Sequence, residues 1–266
     1  MLCLEEDDKM TLLSDTRYIF VRYLTKLVRN PILLFFSLFQ PLLFLLLFTQ
    51  LLSKLNNFPG ILPPGISYLE FAAAGILMQN AFGSALQSGN SIVADIDSGF
   101  LQKMLVTPLS RPAILLGRLS SDAFRVIVQT AIILGLSFAL GASVKTGIIG
   151  ILLIFFTLAF FGLAWSGISL ALGMKTRSAE TVFAIGGVIT FPLLFLSSAL
   201  FPISFLPTWV KDVSMFNPVS YAVDASRALM INGYNWGTIL PAWGVIGLVA
   251  LITMSATLYQ FRKVVS

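Results

Sequence analysis

Six long apolar segments limit what this 266-residue chain can fold into more than any other feature of its sequence. A helix needs about 20 apolar residues to cross the hydrocarbon core of a bilayer. The segments are continuous, whereas the strands of a membrane barrel alternate apolar and polar positions. Because a continuous apolar run satisfies its backbone within lipid only as a helix, the pattern predicts an all-α membrane protein with six transmembrane helices. The predicted spans cover residues 31–52, 69–93, 119–140, 148–172, 181–201 and 238–260.

The composition agrees with a membrane environment and offers little for catalysis. Charged residues make up 11% of the chain, against about 25% in soluble domains, and the mean hydropathy is +0.90. There is no histidine and Cys3 is the single cysteine, which excludes His-based zinc sites, Ser-His-Asp triads and internal disulfides. The phosphate-binding pattern G-x-x-x-x-G-K-[ST] does not occur. We therefore predict no enzyme, no metal site and no cofactor bound by this chain.

The positions of Lys and Arg predict the orientation. With six spans and a cytoplasmic N-terminus, 13 of the 17 basic residues lie on the cytoplasmic side, as the positive-inside rule requires. A seventh span over residues 213–231 would place Arg262 and Lys263 outside. It would also bury Asp224 and Arg227, each at a cost of about 2.5–3.5 kcal/mol. Six spans with both termini in the cytoplasm is the interpretation we adopt.

Residues 1–30 are predicted to form a cytoplasmic N-terminus with an amphipathic interfacial helix, ahead of a transmembrane domain of residues 31–266. A basic amphipathic helix directly before a span is typical of a helix that lies on the cytoplasmic leaflet. It either only orients the first span or also forms a docking surface for a partner, and both can hold. One face carries Leu13, Phe20, Leu24 and Leu27, and the opposite face carries Asp15, Arg22, Lys26 and Arg29. The candidate residues of the interfacial helix are Arg17, Arg22, Lys26 and Arg29.

Residues 202–237 are too apolar for an ordinary outer loop and are predicted to form re-entrant helices between the fifth and sixth spans. They either gate a pathway or act as a structural lid. Asp224 and Arg227 are three residues apart, so they can pair on one helix face. The breaks are Pro202, Pro207 and Pro218, and the aromatic residues expected at headgroup depth are Trp209, Tyr221, Tyr234 and Trp236.

A short polar insert, residues 95–111, separates the second and third spans on the predicted cytoplasmic side. Gly99 and Pro108 bracket the sequence FLQKMLVT, which can form two helical turns. The insert is either a plain connecting loop or a short helix that packs into a groove of a soluble partner. The side chains available for that packing are Phe100 and Met104 with either Leu101 or Leu105.

Two stretches resemble the type-2 ABC transporter permease family, with a lean toward its drug-resistance and nodulation-exporter branch. Residues 95–122 are similar to the family's cytoplasmic loop, and residues 201–230 to its outer segment. The matches in the first stretch are Asp95, Asp97, Gly99, Met104, Leu105, Thr107, Pro108, Ser110 and Arg111. The matches in the second are Phe201, Pro202, Leu206, Pro207, Trp209, Asn217, Pro218, Tyr221, Asp224 and Arg227.

The resemblance implies that a separate cytoplasmic ATPase subunit holds ATP and Mg²⁺, and that two permease copies dimerise, as a homodimer by expectation. Residues of about 97–106 would be a coupling helix in a cleft of that ATPase, and the outer segment would be a gate. The implied coupling residues are Asp95, Asp97, Gly99, Phe100, Leu101, Lys103, Met104, Leu105, Thr107 and Pro108. The implied gate residues are Pro202, Pro207, Trp209, Asn217, Pro218, Tyr221, Asp224 and Arg227.

The loop departs from the family pattern at several positions, which favours apolar docking over charge pairing with the ATPase. The departing residues are Ile96, Asp97, Phe100 and Gln102.

The function that follows is ATP-driven export, by alternating access, of an amphipathic substrate such as a drug or lipid. The expected location is the plasma (cell inner) membrane, with membrane lipids as partners and no nucleic acid. One alternative is export of a lipid-linked polysaccharide or other glycolipid. Another, from a different class, is a passive channel or membrane scaffold without an energy source.

Overall fold

A computed structural model describes residues 2–51, 66–107, 109–203 and 206–265, and the elements in these ranges are helical. The predicted all-α class is therefore confirmed. The helices are α1 (Leu2–Val28), α2 (Pro31–Leu51), α3 (Tyr68–Asp97), α4 (Phe100–Val106), α5 (Arg111–Ala139), α6 (Gly147–Thr176), α7 (Ala179–Phe195), α8 (Thr208–Ser214), α9 (Pro218–Arg227), a π-helical turn (Ala228–Asn232) and α10 (Trp236–Val265).

Four helices of the described part of the chain are long and apolar enough to cross a membrane. They are Leu34–Leu51, Arg111–Ala139, Gly147–Thr176 and Trp236–Lys263. Two predicted spans fall outside this group for different reasons: α7 is apolar but has 17 residues, and α3 has 30 residues but carries polar side chains along its length. Those side chains include Gln79, Asn80, Gln87 and Asn90.

The central contact of the bundle is between α3 and α6, which approach closely because small residues face each other. A Cβ added to Gly89 would lie 2.5 Å from the backbone oxygen of Ser169. The Gly89 amide donates to the Ser169 hydroxyl at 3.1 Å, and that hydroxyl donates to the Leu86 carbonyl. Close backbone approach through glycine is the usual basis of helix packing in lipid. The small residues of the predicted second span therefore fix the position of α3.

The buried apolar side chains form two clusters at different heights in the bundle. The larger one is built mainly from α3, α6, α9 and α10, with edge-on contacts of Phe82 to Phe161 and Trp165. The smaller one lies at the end of the bundle where α4 is found, hereafter the α4 end, and joins α1, α3, α4, α5, α6 and α10. The opposite end, where α8 and α9 are found, is hereafter the α9 end.

Candidate partner-coupling site

The helix α4 begins at a sharp reversal of the chain after α3. Gly99 has a φ of 68°, a left-handed conformation that residues other than glycine rarely adopt. Its amide donates to the Ile96 carbonyl at 3.0 Å, so the turn is tight. After this reversal, α4 lies at the α4 end of the bundle as a separate seven-residue helix. It falls within residues 97–106, the predicted coupling helix.

One face of α4 packs into the protein's own core. Leu101 and Met104 are 1% and 4% exposed and belong to the smaller cluster, which also contains Ile92 and Met174. The expectation that these two side chains are available to a partner is wrong. They point inward because the smaller cluster already offers them an apolar surface.

The other face of α4 is exposed. Gln102, Lys103 and Thr107 are exposed, and the Val106 side chain is 86% exposed. An apolar side chain at the tip of a rigid helix is a good anchor for a soluble partner. We call these four residues the exposed turn of α4. Pro108 lies outside the described residues.

The remaining predicted coupling residues occupy the margins of α4. Asp97 is exposed and Leu105 is half-buried against the smaller cluster. Phe100 is half-buried, and the guanidinium of Arg22 lies 3.3 Å from the centroid of its ring. This cation–π contact joins α1 to the first residue of α4.

Asp95 lies inside the protein and anchors α1 to the C-terminal end of α3. Its side chain is 2% exposed. Its carboxylate accepts hydrogen bonds from the Tyr23 hydroxyl at 2.7 Å and from Lys26 Nζ at 3.2 Å, and Arg22 lies at 3.5 Å. Although the resemblance placed Asp95 among the ATPase-coupling residues, it is not available to contact a partner.

Arg118 of α5 completes this cluster and is itself 2% exposed. One of its terminal nitrogens donates to Asp95 at 3.0 Å and to the Tyr23 hydroxyl at 2.9 Å, and the other donates to the Ser88 carbonyl at 2.7 Å. Three helices, α1, α3 and α5, therefore meet at one buried ionic centre directly behind α4. We call Tyr23, Asp95 and Arg118 the ionic anchor.

Burial would by itself raise the pKa of the Asp95 carboxyl, because a charge is poorly solvated away from water. Arg118 and then Tyr23, Lys26 and Arg22 outweigh this effect, so the pKa lies below its usual value. Asp95 is thus an anion at neutral pH, and its attraction to Arg118 is lost only in strong acid.

A second ion pair lies one turn further along α5. Arg125 and Asp122 are 3.0 Å apart, and the Ser88 hydroxyl donates to Asp122. Arg125 also donates to the Ser84 hydroxyl at 2.8 Å. The polar contact between α3 and α5 therefore extends from the α4 end into the bundle.

The helix α1 packs along α5 through a close approach at Gly117, where an added Cβ would lie 2.7 Å from the Thr16 carbonyl. Ile19 and Tyr23 form its buried face, whereas Leu13 is 71% exposed. The Asp15 carboxylate accepts from the Ser110 amide at 3.1 Å, which ties α1 to the chain after α4. Among the predicted interfacial residues, Arg17, Lys26 and Arg29 are exposed and Arg22 is half-buried.

At the α9 end, some of the predicted gate residues contact other helices of the bundle and others are exposed. Arg227 pairs with Asp224 at 3.2 Å, donates to the Ser198 carbonyl at 2.7 Å, and lies 3.8 Å from the ring centroid of Phe71. The expected pairing of Asp224 and Arg227 is therefore present. Trp209 is 61% exposed. Pro202 is buried, Pro218 and Tyr221 are half-buried, and Pro207 is exposed.

Asn217 joins the start of α9 to the end of α7. Its side-chain oxygen accepts from the Val219 amide at 3.0 Å as a helix cap, and its amide group donates to the carbonyls of Leu193 at 2.6 Å and Leu196 at 3.2 Å. The outer segment is thus attached to α7 as well as to α3.

Replacing Asn217 by alanine is expected to lower the melting temperature of the purified protein. The loss of a helix cap costs about 0.5–2 kcal/mol, and the partly buried carbonyls of Leu193 and Leu196 lose the hydrogen bonds from Asn217. Thermal unfolding in detergent measures the effect. Alanine at the exposed Asn232 is the matched control and should leave the melting temperature unchanged; equal melting of both variants would contradict the assignment.

Comparison with known proteins identifies the class to which this fold and site belong. The family model described as "ABC-2 type transporter" matches residues 14–231, which include α4, the ionic anchor and α9. The chain belongs to this family, and the resemblance seen in the two motifs is confirmed. It is a multi-pass membrane protein of the ABC transporter permease type, a class of transport subunits rather than enzymes.

Individual relatives agree with this assignment. The chain is 30% identical over 265 residues to ycf38 of Pyropia yezoensis, which is named as a transport permease, covering 93% of this chain and 88% of the relative. It is 31% identical over 201 residues to the daunorubicin resistance ABC transporter permease protein DrrB1 of Streptomyces coeruleorubidus, covering 75% and 69%. It is 26% identical over 220 residues to DrrC of Mycobacterium tuberculosis, named as a doxorubicin resistance permease, covering 80% and 75%.

Sequence reasoning missed Tyr23 and Arg118 as site residues. Arg118 entered only as one of the basic residues that set the orientation, and Tyr23 did not enter at all. Their positions could have predicted the contact between Asp95 and Arg118. They are an acid and a base at the edges of the two spans that the insert connects.

Proposed function

We propose that this chain is the membrane-spanning permease subunit of an ATP-binding cassette exporter. A separate cytoplasmic ATPase that binds ATP and Mg²⁺ drives it, and two permease copies form the transport pathway. In this proposal each copy has six spans, both termini lie in the cytoplasm, and the protein resides in the plasma membrane. The substrate is an amphipathic molecule such as a drug or lipid, moved outward by alternating access.

The observation that carries the proposal is the way α4 is mounted. Its exposed turn presents Val106 to solvent, while Leu101 and Met104 fix its inner face to the core. The ionic anchor lies at its root and joins α1, α3 and α5. A force applied to α4 by a partner would therefore reach three helices without bending a flexible loop.

The identity of the substrate class is supported by the relatives. Two of them are named for resistance to daunorubicin or doxorubicin. These are the reason for proposing an amphipathic substrate for this chain.

The contacts of the outer segment are evidence for a gate that moves together with the spans. Arg227 binds α3 through the Phe71 ring and the Ser198–Ala199 backbone near the end of α7, and Asn217 binds the end of α7. A shift of α3 or α7 would therefore displace α9. To move the gate, a substrate or ATP must bind more tightly to one arrangement of these helices than to the other.

Replacing Val106 by aspartate is expected to abolish capture of the ATPase and to reduce ATP-dependent efflux in inverted vesicles by tenfold or more. A charge at the centre of an apolar contact loses the anchor and must be desolvated. Folding should be unaffected, because Val106 is 86% exposed. The measurements are co-purification with the co-expressed ATPase and transport with and without it.

The matched control is Val213→Asp. Val213 is an exposed valine on α8, another seven-residue helix, at the opposite end of the bundle. It should leave ATPase capture at the wild-type level. Transport that persists without any ATPase, or capture that V106D does not weaken, would overturn the coupling proposal.

The proposed orientation has a separate test in single-cysteine variants made on a Cys3→Ser background. Gln102→Cys on α4 should react with a membrane-impermeant maleimide only in inverted vesicles, and Lys211→Cys on α8 only in right-side-out vesicles. The opposite pattern would place α4 outside, where a cytoplasmic ATPase cannot reach it.

A further inference from the structure

A cavity of about 210 Å³ lies between α1, α3 and α5, beside the ionic anchor and away from the exposed turn of α4. Asn90, one of its lining residues, is seven residues before the end of α3, which is about 10 Å along the helix axis. The cavity is therefore set back from the α4 end by about two helical turns. The coupling proposal gives it no role.

Positive charge predominates around this cavity. Lys26, Arg118 and Arg125 line it, and Arg22 stands next to it through its contact with Asp95. The acids of the same group are Asp95 and Asp122, and each already faces an arginine at 3.0 Å. The excess of cations over carboxylates favours an anionic ligand.

Buried polar atoms in the cavity wall have no hydrogen-bond partner among the described residues. They are Nε of Arg118 and both the Nδ2 and Oδ1 atoms of Asn90. Arg118 is 2% exposed, so its Nε cannot turn to bulk water. Buried polar groups are nearly always satisfied, because an unmet one costs about 1–3 kcal/mol. The two donors suit a phosphate oxygen, and the Asn90 carbonyl suits a hydroxyl donor on the same ligand.

The shape of the cavity indicates an amphiphile rather than a small free anion. A water molecule takes a share of about 30 Å³ in the liquid, so 210 Å³ exceeds the space of one or two bridging waters. Leu24 and Leu27 of α1 contribute an apolar wall along one side. A phosphate with an attached glycerol unit fits the polar wall, and acyl chains leaving it would run along these leucines.

We propose that this cavity binds the headgroup of an anionic glycerophospholipid from the membrane leaflet at the α4 end. That leaflet is the cytoplasmic one in the orientation proposed above, but binding itself requires no transport. The phosphate accepts hydrogen bonds from Arg118 Nε, Asn90 Nδ2 and Lys26 Nζ, and a headgroup hydroxyl donates to Asn90 Oδ1. A lipid held in this way clamps α1 to α3 and α5 behind the coupling helix.

The test is native mass spectrometry of the delipidated full chain with added phosphatidylglycerol or phosphatidylcholine. We expect one phosphatidylglycerol per chain to bind at least tenfold more tightly than phosphatidylcholine, since a net anionic headgroup meets the cationic wall. Asn90→Asp, which places a negative charge against the phosphate, and Lys26→Gln should each weaken phosphatidylglycerol about tenfold, which corresponds to about 1.4 kcal/mol. Asn90→Leu should remove the preference without lowering the melting temperature in lipid-free detergent.

The control is Lys175→Gln, at an exposed lysine near the end of α6, which should bind phosphatidylglycerol like the wild type. Inorganic phosphate at millimolar concentration should not displace the lipid; displacement would overturn the lipid assignment in favour of a free anion. Equal affinity for the two lipids in the wild-type chain, a result that needs no variant to fold, would overturn the proposal. So would unchanged binding by well-folded N90D and K26Q.

Discussion

Replacing Asp95 by alanine is expected to lower the free energy of unfolding by about 3–5 kcal/mol, the cost of leaving a buried charge without its partner. Arg118 is 2% exposed, and among the described residues it would keep hydrogen bonds to the Tyr23 hydroxyl and the Ser88 carbonyl. For a chain of this size, the melting temperature should fall on the order of 10 °C. Limited trypsin digestion should cut after Arg17 and Arg22, because α1 is no longer held against α5.

The double variant Asp95→Leu with Arg118→Met separates loss of the ion pair from general damage. When both members of a buried pair become apolar, stability is often recovered. The double variant should therefore melt nearer to the wild type than Asp95→Ala does, while Lys26 and Arg22 remain partly exposed and can turn to solvent. If the double variant loses as much stability as the two single variants together, Asp95 and Arg118 do not act as a pair.

Replacing Gly89 by alanine is expected to destabilise the bundle by about 1–3 kcal/mol, the typical cost of overpacking. The added methyl group would lie 2.5 Å from the Ser169 backbone oxygen, which cannot move independently of α6. The helices α3 and α6 must then separate, and the hydrogen bond from the Gly89 amide to Ser169 lengthens. Thermal unfolding measures the loss.

Gly83→Ala is the matched control on the same helix. An added Cβ at Gly83 meets nothing within 4 Å, so the variant should gain up to about 1 kcal/mol from the higher helix propensity of alanine. Opposite signs at the two glycines are expected. A loss at Gly83 as large as that at Gly89 would contradict the close approach of α3 and α6 at Gly89 as the cause of the destabilisation.

The helix positions followed from the sequence because lipid imposes a simple rule on apolar length. The predicted spans 31–52 and 148–172 agree with α2 and α6 to within a few residues. The same rule is weaker for α3, since Gln87 and Asn90 reduce its apolar character while their neighbours remain buried. Its place in the bundle comes from packing at Gly89, which hydropathy does not measure.

The site was harder to predict for two physical reasons. Helix α4 has two turns, too few for periodicity to distinguish the face of Leu101 and Met104 from the face of Val106. The contacts of the ionic anchor join residues 72 and 95 positions apart. No local pattern encodes such a contact, so Asp95 was assigned to the ATPase and Tyr23 was overlooked.

The inward turn of Leu101 and Met104 has a consequence for how partner choice can change. Under the proposed coupling, the surface that α4 offers to the ATPase is Gln102, Lys103, Val106 and Thr107, and all four residues are exposed. Substitutions there leave the membrane bundle intact. The choice of ATPase can therefore change without a change in the membrane bundle. Grafting a single helical turn from a related permease would exchange the ATPase while keeping the translocation path.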